Sequence, residues 1–403
     1  MERSGSPAVN PSSLRVLFVA HAFPRYAGDV TGGFLLRLAV ALRDRGVTVA
    51  AVAPAAEGLA AAERLDGIAV RRYRYAPRRA ERLAYAGEMH RRAASPAGAA
   101  ALAGLLAAGA LAARRTARRA DLVHAHWWFP GGVQALAART GLPLVTTLHG
   151  TDVRLARDRP AAGLACARVL RASARVTAVS GWLAAQAATF APGLAAPVAV
   201  APMPVDDRAF SPGPGDRPRD ELLFVGRLDR QKGAEIVLRA LALLNGPAAG
   251  LPLRVVGGGP EEAALRRLAG ELGVGGRVRW DGHLPQADLA ARYRRAAALV
   301  VPGREEGLGL VAAEGQLSGA PVVAAASGGL LDVVADGRTG RTFPPGDAGA
   351  LARAVESVLA DRDATARMTA AARQEAAARF GPAGAARAYA AVYAEALVTA
   401  RKP

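Results

Sequence analysis

Residues 221–259 read ELLFVGRLDRQKGAEIVLRALALLNGPAAGLPLRVVGGG. Residues 222–225 form a short apolar run closed by a glycine, which predicts a strand buried on both faces. A polar loop follows at 226–233, and residues 234–244 carry apolar side chains at helical spacing. A second buried strand at 253–256 ends in Gly257-Gly258-Gly259. Strand, loop, helix, strand is one βαβ unit.

The alternation continues downstream: a helix from Glu261, a strand at 278–280, a helix from Ala287, a strand at 298–301, a helix near Leu308 and a strand at 321–325. The same grammar occurs earlier in the chain. Residues 14–20 (LRVLFVA) predict a strand, a glycine-containing loop spans 24–33, and a helix spans 34–46 and stops at Gly46. A further strand spans 47–53. Between the two halves, DDRAFSPGPGDRPRD at 206–220 has the Pro, Gly and charge content of a hinge. The expectation is α/β: two Rossmann-like, doubly wound parallel-sheet domains at 1–205 and 221–382, a linker at 206–220, and a closing helix within 383–403. Ligands of such sheets bind beyond the carboxyl ends of the strands, where the crossover direction switches. Two such edges facing each other predict a central cleft.

Composition agrees with a globular protein: 403 residues, 51% hydrophobic and 21% charged. The single cysteine, Cys166, allows no internal disulfide and fits a reducing, cytoplasmic setting. Residues 1–13 do not read as a secretory signal. Residues 96–113 carry no charge, but are almost all Ala, Gly and Leu, and read as a buried or half-buried helix rather than a membrane span. The net charge of +18 comes mostly from scattered arginines, with no basic strip interleaved with aromatics of the kind that binds single-stranded nucleic acid. No nucleic-acid partner is expected. The densest cluster (Arg71, Arg72, Arg74, Arg78, Arg79, Arg91, Arg92) is the expected surface for peripheral contact with the inner membrane face.

The chemistry concentrates in VPGREEGLGLVAAEGQLSGAPVVAAASGG, residues 301–329. A helix beginning near Leu308 would turn unpaired amides and positive dipole toward the loop, an anion site that Gly307 and Gly309 leave open. Glu306 and Glu314 are eight residues apart, about 10 Å along a helix at 1.5 Å per residue. That separation suits the two hydroxyl-rich ends of a nucleotide-sugar, although two glutamates alone read more readily as solvated helix surface. The loop after strand 222–225 adds Arg227 and Lys232, two cations able to neutralise a diphosphate leaving group.

Together these residues resemble the retaining glycosyltransferases of family 4, which have the GT-B fold. The resemblance rests on Gly226-Arg227-Leu228 with Lys232-Gly233, on EGLGLVAAE from Glu306 to Glu314, and on Gly319-Ala320-Pro321, Gly328-Gly329 and Asp336-Gly337-Arg338-Thr339-Gly340. A looser match runs through Asp121–His126, Thr147–Asp152 and Ala178–Ser180. The resemblance implies a hexosyltransferase-like, metal-independent transfer from a nucleoside-diphosphate sugar to an acceptor hydroxyl on a sugar, lipid or small molecule. It implies that Arg227 and Lys232 grip the diphosphate, Glu314 the ribose and Glu306 the donor sugar. Main-chain amides of Gly307, Leu308, Gly309 and Leu310 would contact sugar and phosphate, and His149 would approach the sugar from across the cleft. A glycine of the first loop would touch the diphosphate: Gly28, Gly32 or Gly33. Gly303 stands where the family commonly has Ser.

No cofactor beyond the nucleotide-sugar co-substrate is expected, and no metal. His124-x-His126 has no third ligand nearby, and Asp361-Arg362-Asp363 falls at a helix junction rather than a strand edge. Gly257-Gly258-Gly259 lacks the spacing of a dinucleotide fingerprint. Two alternatives remain at this level: a nucleotide-sugar epimerase on the same fold, and a basic protein that binds nucleic acid or membrane.

Overall fold

The computed structural model describes residues 14–85, 89–213 and 219–400. The expectations for residues 1–13 and for the centre of the linker, 214–218, lie outside these, as do those for the side chain of Arg91. The chain divides into two compact units: Met1–Pro204 with Ala385–Pro403, and Val205–Gly384.

The first unit contains β1 (Arg15–Val19), α1 (Gly33–Arg43), β2 (Thr48–Pro54), β3 (Ala62–Leu65), β4 (Ile68–Tyr73), α2 (Met89–Arg92), α3 (Pro96–Ala117), β5 (Leu122–His126), α4 (Val133–Ala138), β6 (Leu144–Leu148), α5 (Thr151–Asp158), α6 (Pro160–Ala172), β7 (Arg175–Ala178), α7 (Gly181–Phe190) and β8 (Ala199–Val200). Its sheet has the order β3-β4-β2-β1-β5-β6-β7-β8. Every pairing is parallel except β3 with β4, an antiparallel hairpin closed by Asp66-Gly67, both at positive φ. Strands β5 and β6 are buried along their whole length, as central parallel strands covered on both faces must be. Taken in chain order without β3, the first six parallel strands are arranged 3-2-1-4-5-6. Crossovers therefore reverse between β1 and β5.

Helix α3 is long and apolar enough to cross a membrane by length and composition, yet a third of its most apolar stretch is buried. Ala101, Leu105, Ala112, Ala113 and Ala117 join Tyr73, Tyr75 and Leu83 in the core beneath β1, β2 and β5. The Ser95 side chain, accepting from the Gly98 amide, and Pro96 at the first position start it. Cys166 is buried in α6, and burial pushes its thiol up to about 12, which makes it an inert packing residue.

The second unit contains β9 (Glu221–Val225), α8 (Ala234–Leu243), β10 (Leu253–Val256), α9 (Glu262–Glu271), β11 (Val278–Gly282), α10 (Gln286–Arg295), β12 (Ala296–Val301), α11 (Leu310–Leu317), β13 (Val322–Ala325), α12 (Leu330–Val333), β14 (Arg341–Phe343), α13 (Ala348–Ala360) and α14 (Arg362–Phe380). Its strands are all parallel in the order β11-β10-β9-β12-β13-β14, again 3-2-1-4-5-6, with the reversal between β9 and β12. Asp361 caps α14 by accepting from the Ala364 amide, so the Asp361-Arg362-Asp363 spacing belongs to a helix start. The last helix, α15 (Pro382–Thr399), packs into the first unit from Ala385 onward: Tyr389 and Tyr393 are fully buried, and the Tyr389 hydroxyl donates to the Ala201 carbonyl.

Two sequence expectations are corrected. The helix expected near Leu308 starts at Leu310, because Gly309 is left-handed (φ 89) and cannot continue a right-handed turn. Glu306 therefore lies in the loop, and the helical-rise argument for its distance from Glu314 does not apply. Within the arginine cluster, Arg72 is buried and bonded to Glu63, the Tyr85 hydroxyl and the Pro24 carbonyl, so it holds the fold rather than facing a membrane.

Candidate active site

In the second unit the loops leaving β9 and β12 stand side by side, because these strands pair at the switch point. The Gln231 carbonyl accepts from the Arg304 amide at 2.9 Å, joining one loop to the other. Lys232 Nζ reaches Glu306 Oε1 at 2.6 Å, the closest charged pair at this edge. Glu306 is buried and Lys232 partly exposed. Arg227 projects outward, 62% exposed at its side chain, and is bonded to Asp229 at 2.7 Å. Asp229 also accepts from the Lys232 amide at 3.1 Å, so one carboxylate shapes the loop that bears both cations.

The β12 loop is held from behind by Gly328-Gly329. A Cβ at Gly329 would fall 2.3 Å from the Gly307 carbonyl oxygen, and one at Gly328 2.7 Å from that of Glu306. The Gly329 amide donates to Glu306 O at 2.8 Å. Glu305 has positive φ (50), uncommon for a non-glycine residue and frequent at ligand-binding turns. Gly307, Leu308 and Gly309 thus lead into the amino end of α11. Glu314, half-buried on that helix, accepts from the Tyr293 hydroxyl at 2.8 Å, and this contact orients its carboxylate.

In the first unit, the carboxyl edge gathers four of the chain's six histidines. His21 follows β1, His126 ends β5 two residues after His124, and His149 follows β6. His126 Nδ1 and His149 Nε2 are 3.3 Å apart, and the His149 ring lies 4.3 Å from that of Trp127. Trp127 has φ 64, which turns its indole between His149 and His21. Burial holds all four imidazoles neutral: His21 falls to about 4 and His124 to about 3. His126 and His149 fall well below the usual value, with repulsion from neighbouring histidines added. His126 Nε2 is buried without a hydrogen-bond partner. His124 is instead a packing residue, bonded to Tyr393 and Thr147. Neutral rings and an indole face suit a hydroxyl-bearing ligand with apolar C–H faces better than an anion.

Asp152 went unassigned in the sequence. Its carboxylate is buried and accepts from the amides of Trp128, His149, Gly150 and Val153, tying the His149 turn to the Trp127-Trp128 turn. The first-loop glycines also separate. Gly32 caps α1 in a left-handed conformation, and a Cβ there would lie 1.5 Å from the Ala22 carbonyl oxygen, so this glycine serves chain packing. Gly33 begins α1, and a Cβ on it would meet only the Arg37 side chain. Gly28 is exposed with open space around it. Among the described residues, no three His, Cys, Asp or Glu side chains converge as a metal site.

The family model described as Glycosyltransferase Family 4 matches residues 32–209, and that described as Glycosyl transferases group 1 matches 208–375. The chain is 36% identical to D-inositol 3-phosphate glycosyltransferase 1 of Catenulispora acidiphila over 60% of its length and 64% of the relative's, just under two thirds. It is also 36% identical to the D-inositol 3-phosphate glycosyltransferase of Thermobispora bispora, over 69% of its length and 71% of the relative's. Among solved structures, its fold matches Anabaena HepE in complex with UDP-glucose (TM-score 0.69, 21% identity, 94% of this chain and 99% of that one).

Proposed function

The chain belongs to glycosyltransferase family 4, and from that membership we propose that it moves a sugar from a nucleoside-diphosphate sugar to an acceptor hydroxyl, with retention of configuration and without a metal. The observation that carries this reading is the pairing of cations and carboxylates on the β9 and β12 loops, at the switch point where such sheets bind ligands. Arg227 and Lys232 take the diphosphate, aided by the amides of Gly307 to Leu310 at the amino end of α11. Glu314, oriented by Tyr293, takes the ribose, and Glu306 takes hydroxyls of the donor sugar. His149 serves the donor sugar as a neutral donor or acceptor. Gly33, with its amide at the start of α1 and room beside it, is the best placed of the loop glycines to meet phosphate.

In this reading the bond from the anomeric carbon to the diphosphate oxygen breaks as Arg227 and Lys232 draw charge onto the leaving group. The acceptor oxygen bonds to the anomeric carbon on the same face, and its proton passes to the departing phosphate oxygen. Glu306 orients the sugar and forms no covalent intermediate. HepE, with its bound UDP-glucose, makes a uridine donor the first to try. The relatives named are transferases, which favours transfer over epimerisation. We place the reaction in the cytoplasm, with the exposed Arg71, Arg74, Arg78 and Arg79 available to an anionic membrane face.

The test is turnover of UDP-glucose and GDP-mannose against a panel of sugar, polyol and lipid acceptors, scored also for hydrolysis to water. Lys232→Ala and Glu306→Ala should each lower turnover by about a hundredfold or more with the fold left intact. Wild-type turnover in both variants would refute the site assignment.

A further inference from the structure

Glu306 does more in this chain than face a sugar. A Cβ on Gly303 would fall 2.5 Å from Glu306 Oε1 and 3.1 Å from its Cγ, so the glutamate side chain occupies space that only glycine leaves open. From that position it bonds to Lys232 Nζ at 2.6 Å. We infer that Glu306, folded over Gly303 onto Lys232, makes the site discriminate an intact nucleotide-sugar from the nucleoside-diphosphate product, and so promotes product release. The inference rests on the donor reading given above.

A phosphate oxygen bonded to Lys232 at about 2.8 Å lies no more than about 5.5 Å from Glu306 Oε1, given the 2.6 Å already between Oε1 and Nζ. Two anions that close repel, and Glu306 is buried enough for water to screen them poorly. An intact donor brings sugar hydroxyls whose protons satisfy the carboxylate, which compensates the repulsion. The product brings the same phosphates and no sugar. Once the sugar has left, Glu306 competes with the diphosphate for Lys232, and the product is the weaker ligand. Any side chain at position 303 would push the carboxylate aside, so this competition depends on the glycine there.

Isothermal titration of the full chain with UDP and UDP-glucose, and in parallel with GDP and GDP-mannose, tests this. Glu306→Gln keeps the shape and removes the charge. Gly303→Ala keeps the charge and displaces it, moving the Glu306 carboxylate and shifting its Cγ and Cδ slightly. Both should tighten nucleoside-diphosphate binding by on the order of tenfold and shrink the preference for the nucleotide-sugar. Gly303→Ala should also lower the inhibition constant of the product during turnover. Unchanged or weaker diphosphate binding in both variants would overturn the inference while leaving the donor reading intact. Failure of the wild-type chain to bind either nucleotide pair would remove the donor reading and this inference with it.

Discussion

Replacing Asp152 tests whether one carboxylate organises the histidine edge of the first unit. Its Oδ1 accepts from the amides of His149 at 3.1 Å, Gly150 at 2.9 Å and Val153 at 3.0 Å, and its Oδ2 from that of Trp128 at 3.1 Å. Asp152→Asn keeps an oxygen for the first three but turns an NH2 group toward the Trp128 amide. One buried donor left without an acceptor costs about 1–3 kcal/mol. Asp152→Ala strands all four. His149 and Gly150 are half-buried and regain water, whereas Trp128 and Val153 are buried and do not. The loss should then be roughly 3–5 kcal/mol, enough to leave a typical domain marginal. Urea unfolding followed by tryptophan fluorescence suits the question, because three of the four tryptophans (Trp127, Trp128 and Trp182) are in the first unit. A loss below about 1 kcal/mol for the alanine variant, or equal losses for the two, would refute the reasoning.

Three further outcomes are expected. Burial holds folded His124 neutral down to about 3, while its unfolded value is 6.5. The stability it contributes is present above pH 6.5 and falls at about 1.4 kcal/mol per pH unit as pH drops through that window. The urea midpoint of the first unit should fall between pH 7 and 5.5, and a flat profile would contradict the buried neutral histidine. Gly32→Ala places a methyl against the Ala22 carbonyl at φ 73 and should destabilise the first unit by about 2 kcal/mol or more; calorimetry would show a lowered first transition. Arg227→Ala removes an exposed cation and should weaken diphosphate binding by about tenfold while the melting temperature stays within a degree or two, about the effect of a surface substitution.

The second unit was the more legible in the sequence. Strands β12 and β13 are wholly apolar and β9 nearly so, because a central parallel strand buried on both faces leaves few positions for polar residues; β14, with Arg341 and Thr342, carries no such run and is not legible in the sequence. Arg227, Lys232 and Glu306 were legible because they lie in the loops that follow apolar strands, at the edge where such sheets bind ligands. The start of α11 was misplaced by two residues, since Gly307 and Gly309 are equally able to adopt φ above zero and only the fold selects Gly309. The β3–β4 hairpin was overlooked although Asp66-Gly67 marks it. The histidine edge was legible only in part. His126 ends a strand and His149 follows one, but their approach to His21 and Trp127 depends on sheet order, and Asp152 acts through main-chain amides that carry no pattern in the sequence. Burial of Arg72 was likewise hidden, because its partner Glu63 sits on the overlooked hairpin.

The most direct test of the central claim, that the β9 and β12 loops bind the diphosphate of a nucleotide-sugar, is a thermal-shift screen of the full chain against UDP, GDP, ADP and TDP, with and without magnesium. Stabilisation by one of them, independent of magnesium and abolished in Lys232→Ala, is the predicted result and would name the base. Failure of all four to stabilise the chain, or a shift that survives in Lys232→Ala, would contradict it.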